Sequence, residues 1–319
     1  MNDIVQISNE FIERNTNFPA LINQLRTYFK NNEVEVPMRH HHDFPNPKVN
    51  ADSTLLLMPA WNPSKDAGVK VVTVSPENGQ FDLPSIQGTY MYLDATKGTV
   101  KAIIEAKSLT AKRTAAASAL ASSYLSNPDS SSLLMIGTGA LSINLIEAHA
   151  AVRPIKNVFV WGRNFEKAQS ICDTLNAQGY NCNPVNTIEE KVSEVDIISC
   201  ATLSKTPLVL GHYLKPGQHI DLVGAYKKDM READNDAIKK STVFVDTFQG
   251  GLKESGDIAI PLAEGILEEK DIKADLFNLS TNDHSARVTE NEITLFKSVG
   301  HALEDLAAAS YYYNKFTNE

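Results

Sequence analysis

The apolar run Leu133-Leu134-Met135-Ile136 is bounded by Asn127-Pro128-Asp129 before it and by Gly137-Thr138-Gly139 after it. It reads as a buried strand leading into a tight turn. The next residues, Ile143 to Ala150, space apolar side chains as an amphipathic helix does. Strand, glycine turn and helix are the context in which a G-x-G pair acquires a ligand. Gly137 permits the turn, and Gly139 lets the backbone approach a pyrophosphate at the helix N-terminus. The last small position of the fingerprint is Ser142 rather than glycine. The motif is therefore degenerate and, alone, fits either a nucleotide site or an ordinary strand-to-helix turn.

A second strand, Asn157 to Trp161, follows the helix. An acidic residue at its end would hydrogen-bond the ribose 2′-OH of NAD. The chain offers Arg163 and Asn164, with no Asp or Glu before Glu166. An arginine there suits a 2′-phosphate, which favours NADPH with NADH as the alternative. The competing reading is that Arg163 merely opens a surface helix.

The chain has 319 residues, 42% hydrophobic and 22% charged. That is enough for two domains with ordinary cores. Its formal net charge of -9 and lack of a Lys/Arg-rich block argue against a nucleic-acid partner. Cys172, Cys182 and Cys200 lack metal-ligand spacing and point to a reducing compartment. The N-terminus has no signal-type apolar run, and no stretch reaches the roughly 18 apolar residues of a membrane span. A cytoplasmic protein is expected.

Asn9 to Lys30 read as amphipathic helices broken near Asn15 to Pro19. Glu33 to Arg39 alternates as a half-buried strand, with Arg39 at its end. His40-His41-His42 follows. Neighbours on an extended chain point to opposite faces, so no metal site is expected there. Asp52 to Gly98 reads as all-β, and Lys70 sits alone in the apolar run Ala67 to Val74. That lysine is either an edge-strand or snorkelling cation or one aimed into a pocket. Ser108 to Ala121 is an alanine-rich helix. Arg113 in its first turns would oppose the helix dipole, which marks it as a site candidate for a carboxylate.

From Leu133 to Val223 strands and helices alternate as in a doubly wound parallel sheet, with Ile188 to Val192 among the elements. Ligands of such sheets lie at the strands' carboxyl ends, here the loops after Cys200 and Val223. Val243 to Asp246 is a further strand, Gly256-Asp257 and Gly265 punctuate loops, and a final helix spans His301 to Lys315. Tyr311 to Tyr313 on that helix are packing or interface residues.

Seven motifs then fall in order: Gly68-Val69-Lys70, Leu109 to Ala116, Gly137-Thr138-Gly139-Ala140, Val223-Gly224-Ala225, Arg231-Glu232, Gly256-Asp257 and Thr294 to Gly300. On these the chain resembles the ornithine cyclodeaminase and mu-crystallin family from Arg39 onward. The resemblance implies an α/β fold in which a Rossmann-type domain, residues 121–294, is inserted into an α+β substrate and dimerisation domain, residues 1–120 plus 295–319. It implies a homodimer. It also implies that Arg39, Lys70 and Arg113 clamp a substrate carboxylate as the catalytic set, with Thr114, Tyr226, Val299 and Gly300 lining the substrate. Gly137, Thr138, Gly139, Ala140, Leu141, Arg163, Asn164, Ala201, Thr202, Val223, Gly224 and Ser298 would hold the cofactor.

In the cyclodeaminases an aspartate lies two residues after the Val-Gly pair; here that position is Tyr226, unless Asp229 reaches back from the loop. This departure and Arg163 point to the reductase branch. Its members look like enzymes reducing cyclic ketimines: Δ1-pyrroline-2-carboxylate to L-proline, or Δ1-piperideine-2-carboxylate to L-pipecolate. The clamp would orient the imine carbon under the nicotinamide. The imine proton is already on the substrate, or comes from Lys70, a water or Tyr226. The alternatives are ornithine cyclodeaminase proper, reductive amination of a 2-oxo acid as in alanine dehydrogenases of this family, and a non-enzymatic hormone binder as mu-crystallin is in some tissues.

Overall fold

A computed structural model describes residues 4–281 and 286–318. The chain divides into two compact units, one of residues 1–113 with 302–319 and the other of residues 114–301. No helix among the described residues is long and apolar enough to cross a membrane.

The first unit opens with β1 (Val5–Ile7), α1 (Asn9–Asn15) and α2 (Phe18–Asn31). Ser8 and Asn17 cap the two helices through their side chains. Next come β2 (His40–Asn46), β3 (Ala51–Asn62), β4 (Asp66–Val74), β5 (Ile86–Asp94) and β6 (Val100–Glu105). With β1 they form a six-stranded sheet in the order β1-β6-β5-β4-β3-β2. The helix α10 (Ala302–Thr317) returns the chain to this unit. Cross-strand neighbours Met58, Lys70, Tyr90 and Ile104 share one face and are buried. On the other face Pro59, Val69, Met91 and Ile103 are only half-buried.

Tyr312 is fully buried, and its hydroxyl lies 2.8 Å from Thr16 Oγ1; the amide of Asn17 donates to the Tyr311 hydroxyl. These two tyrosines are packing residues of this unit.

Three local expectations change. The strand expected to end at Arg39 begins after it: only Glu35 bridges, to Trp61, and β2 starts at His40. His40 to His42 therefore lie on an exposed edge strand. The helix α3 runs Ala106–Leu125, starting two residues earlier than the alanine pattern indicates. Arg113 consequently sits beyond its first turn, where the dipole argument has no force. Ile188 to Val192 forms turns rather than a regular element.

The second unit holds β7 (Ser132–Ile136), α4 (Ser142–Ala150), β8 (Asn157–Trp161), α5 (Phe165–Ala177), β9 (Asn181–Pro184), β10 (Ile197–Cys200) and β11 (His219–Leu222). There follow α6 (Asn235–Lys240), β12 (Thr242–Val245), α7 (Phe248–Gly251), α8 (Gly256–Ala263), α9 (Leu276–Thr281) and β13 (Thr294–Lys297). The seven strands lie in the order β12-β13-β11-β10-β7-β8-β9, and every pairing is parallel. Leu133 to Ile136 are all fully buried, as a parallel strand covered on both faces must be. β13 is an interior strand of this sheet, so the division between units falls after His301 rather than near residue 295. Gly256 and Asp257 open α8 rather than lying in a loop, with Ser255 as its cap.

Strand order reverses between β7 and β10, which pair with each other while the chain leaves them toward opposite edges. The crevice at their carboxyl ends is the general ligand position of such sheets.

Candidate active site

In the first unit, two cations are buried against two acids. Lys70 is 3% exposed and Arg113 5%, while Glu304 and Asp305 on the first turn of α10 are fully buried. Lys70 Nζ lies 2.9 Å from Asp305 Oδ1 and 2.8 Å from its Oδ2. Arg113 Nε lies 2.8 Å from Asp305 Oδ1, and its Nη1 donates to Glu304 Oε2 at 2.6 Å. Lys70 is on β4, an interior strand, and faces inward, so neither the edge-strand nor the snorkelling reading describes it.

Burial is the main cause that pulls the Lys70 ammonium down to about 8; Asp305 opposes it, and the charges of Arg113 and Arg39 add to it. Burial would lower Arg113 and raise Asp305, yet the pairing outweighs it in both: Arg113 is held up and Asp305 down. Arg39 is half-buried just before β2, within electrostatic reach of Lys70. The structure thus brings together Arg39, Lys70 and Arg113, and adds Glu304 and Asp305. The sequence carries a signal for those two: adjacent acids inside the apolar run from Ala302 to Ala309. Thr114 is buried beside Arg113 in sequence.

In the second unit the glycine turn sits at the end of β7. Gly137 has φ +121, and a Cβ there would lie 2.6 Å from the carbonyl oxygen of Ala201. A Cβ on Gly139 would meet nothing within 4 Å. The Ser142 hydroxyl donates to the Gly137 carbonyl at 2.9 Å, so the serine at the degenerate position stitches the turn closed. Leu141 precedes α4 without a side-chain cap, and Thr138, Gly139 and Ala140 are half-buried or exposed. Open space over Gly139 in front of an uncapped helix start fits a dinucleotide pyrophosphate.

The loops after β10 and β11 are tied together by one carboxylate. Glu232 Oε1 accepts from the Thr202 amide at 2.7 Å and its hydroxyl at 3.0 Å; Oε2 accepts from the amides of Gly224 at 2.8 Å and Ala225 at 3.1 Å. Asp257 Oδ1 in turn accepts from the Glu232 amide at 2.7 Å. Lys297 at the end of β13 lies 3.1 Å from Asp257 and 3.7 Å from Glu232. Burial pushes Glu232 up, partly countered by Lys297; the two acids outweigh burial and hold Lys297 up. These three residues belong to the ordered motifs, but sequence reasoning gave them no role. A fourth anchor is Asp246, whose Oδ2 accepts from the amides of Val299 and Gly300, each at 2.7 Å, and from the Ser298 hydroxyl at 3.3 Å.

Arg163 is exposed after β8, and Asn164 caps α5 by accepting from the Lys167 amide at 2.9 Å. Val223 is buried and Tyr226 half-buried, with Lys227 Nζ 5.6 Å from the Tyr226 ring centroid. Asp229 does not reach back: it is exposed and lies 2.7 Å from Lys205.

A doubly wound sheet with a glycine turn at its switch point, in a chain that also buries Lys70 and Arg113 against two acids, points to a dinucleotide-dependent enzyme class. The sequence profile of the ornithine cyclodeaminase/mu-crystallin family matches residues 2–319. The chain belongs to that family. It is 46% identical over 317 residues to an uncharacterized protein of Schizosaccharomyces pombe, covering 96% of each chain. It is 36% identical to the Delta(1)-pyrroline-2-carboxylate reductase of Colwellia psychrerythraea over 307 residues, 95% of this chain and 96% of that one. The structure of Thermococcus litoralis Delta(1)-pyrroline-2-carboxylate reductase in complex with NADH and L-proline superposes with a TM-score of 0.92 at 32% identity, covering 99% of this chain and 98% of that one.

Proposed function

We propose that this protein reduces Δ1-pyrroline-2-carboxylate to L-proline with a reduced nicotinamide dinucleotide, and takes Δ1-piperideine-2-carboxylate as the six-membered counterpart. The carrying observation is the buried Lys70 and Arg113 pair in a chain 36% identical to such a reductase over nearly its whole length. The residue two after Val223-Gly224 is Tyr226, and Asp229 is engaged with Lys205, so neither supplies the acid of a deamination.

When bound, the nicotinamide supplies a hydride to the imine carbon. Arg113, Lys70 and Arg39 bind the carboxylate, and fixing it removes rotational freedom from the imine. Lys70, pulled down to about 8, still carries a proton on Nζ at neutral pH and so keeps its charge for the carboxylate. On the cofactor side, Gly137 to Leu141 receive the pyrophosphate, and Ala201 and Val223 adjoin the loop residues Thr202 and Gly224 that the Glu232 carboxylate holds in place. Asp246 does the same for Ser298.

Arg163, with Asn164 beside it, favours NADPH over NADH, because a guanidinium at this strand end pairs with a 2′-phosphate and no acid precedes Glu166. A homodimer forms over the half-buried apolar face of the six-stranded sheet, where Pro59, Val69, Met91 and Ile103 lie in one row.

The test follows oxidation of NADPH, and separately NADH, with Δ1-pyrroline-2-carboxylate, alongside an ammonia assay on L-ornithine with NAD. Oxidation of the reduced cofactor without ammonia release is expected. Ammonia from ornithine would assign the protein to the cyclodeaminases.

A further inference from the structure

Lys70 stands at a boundary on its own face of the six-stranded sheet. Side chains two apart on a strand share a face, so β4 presents Asp66, Gly68, Lys70 and Val72 on one side. Toward Gly68 that face is filled. A Cβ on Gly68 would lie 2.2 Å from the Tyr90 hydroxyl, and its cross-strand neighbours Ala60 and Tyr92 are buried. Beyond it, Asp66 accepts from the hydroxyls of Tyr28 at 2.9 Å and Tyr92 at 3.0 Å. A ligand whose carboxylate meets Lys70 finds no room in that direction.

Toward Val72 the face is open and apolar. Leu56, Val72 and Gly88 are cross-strand neighbours, each half-buried, and the pairing runs to them from Met58, Lys70 and Tyr90 without a bulge. The row ends in a polar group only beyond Leu56, at His41 on the exposed edge strand. A Cβ on Gly88 would meet Val72 Cγ2 at 3.1 Å and the Ala106 Cβ at 3.3 Å, so Val72 and the start of α3 lie on this same face. From Ala106, helical spacing carries one stripe of α3 through Thr110 to Arg113, which closes on Glu304 and Asp305. The row is thus joined to the clamp by a strand through Lys70 and by a helix through Arg113. Two residues of strand separate Val72 from Lys70 by about 7 Å, the scale of a small ring carrying a carboxylate.

We propose that Val72, flanked by Leu56, is the floor on which the ring carbons of the substrate rest, and that its volume sets the preference between five- and six-membered cyclic imino acids. This rests on the assignment of Lys70 and Arg113 to the substrate carboxylate, and names the residue that reads the ring behind it. Leu56 and Val72 offer hydrocarbon contact alone, which suits ring methylenes and gives a polar ring substituent no partner.

The experiment measures kcat/KM for Δ1-pyrroline-2-carboxylate and Δ1-piperideine-2-carboxylate with the full-length protein and its Val72→Ala and Val72→Ile variants. Val72→Ala should shift the ratio of the two constants about tenfold toward the six-membered ring, and Val72→Ile about tenfold toward the five-membered one. Loss of packing alone would lower both substrates together and would not reverse sign with size. Val71→Ala makes the same truncation on the opposite face of β4 and should leave the ratio where it is. If Val72→Ala does not fold, Val72→Ile decides. A ratio unmoved in the folded Val72 variants, or moved as far by Val71→Ala, overturns the inference alone while wild-type reduction of the imine stands. Wild-type protein that reduces neither imine overturns the proposed activity and this inference with it.

Discussion

Lys297 Nζ lies 3.1 Å from Asp257 Oδ2, and both side chains are fully buried. The pair sits below the loops at the ends of β10 and β11, which Glu232 holds by four hydrogen bonds. Removing the ammonium leaves two buried carboxylates facing each other without a cation. Lys297→Met should therefore destabilise the protein by about 3–5 kcal/mol. Chemical denaturation at neutral pH measures this; a loss below about 1 kcal/mol would show that the lysine is not the counter-ion of the cluster.

The two glycines of the turn should respond oppositely to the same substitution. Gly139→Ala adds a methyl group where nothing lies within 4 Å, so the melting temperature should barely move. The methyl would occupy the space assigned to the pyrophosphate, and dinucleotide affinity should fall at least about tenfold. Gly137→Ala forces a side chain at φ +121 into the Ala201 carbonyl, so stability itself should drop, by about 1–3 kcal/mol. Thermal melts with and without NADPH separate the two cases. Loss of stability in the Gly139 variant would remove that residue from the proposed cradle.

The second unit was legible because its signals are local. A continuous apolar strand, a glycine turn and an amphipathic helix can each be read within about ten residues, and parallel strands buried on both faces carry the plainest pattern. The clamp was legible only in halves. Lys70 and Arg113 stand out as charges in apolar runs, but Glu304 and Asp305 pair with them across some 190 to 235 positions of sequence. No spacing rule spans that distance. The early start of α3 was missed because Ala106 follows directly on β6 with no intervening turn residue to mark it. Glu232, Asp257 and Lys297 were visible as motif members, but their role depends on three strand ends meeting, which is a property of the sheet order.

Acid should weaken the second unit through a buried histidine. Burial pushes His219 down to about 3, so the folded protein keeps it neutral. Burial alone would raise Asp221, but the His149 and His219 imidazoles and the Ser199 hydroxyl beside it hold it low. Both folded values lie below the unfolded ones, so unfolding takes up protons in acid. The stabilisation is complete above about pH 6.5 and is lost as pH falls toward the folded value, at about 1.4 kcal/mol per pH unit for the histidine. Between about pH 7 and about pH 5, wild-type stability should fall by about 2 kcal/mol more than that of His219→Gln. Parallel urea titrations at the two pH values test this; equal slopes would exclude His219 as the source.

Lys70 makes the carboxylate clamp sensitive to base. Its ammonium is pulled down to about 8, chiefly by burial, so the clamp loses one of its charges just above neutral pH. A bound carboxylate favours the protonated form, and protonation therefore favours binding. L-proline affinity should be flat below about pH 8 and fall as pH rises through that value, approaching tenfold per pH unit. Lys70→Arg keeps a cation that does not titrate in this range, at the cost of a changed geometry. Its affinity for L-proline should be lower at neutral pH but should show no decline until the proline amine itself titrates. Calorimetric titrations of both proteins from neutral to alkaline pH read the difference. A wild-type profile that stays flat through about pH 9 would mean that Lys70 does not meet the carboxylate.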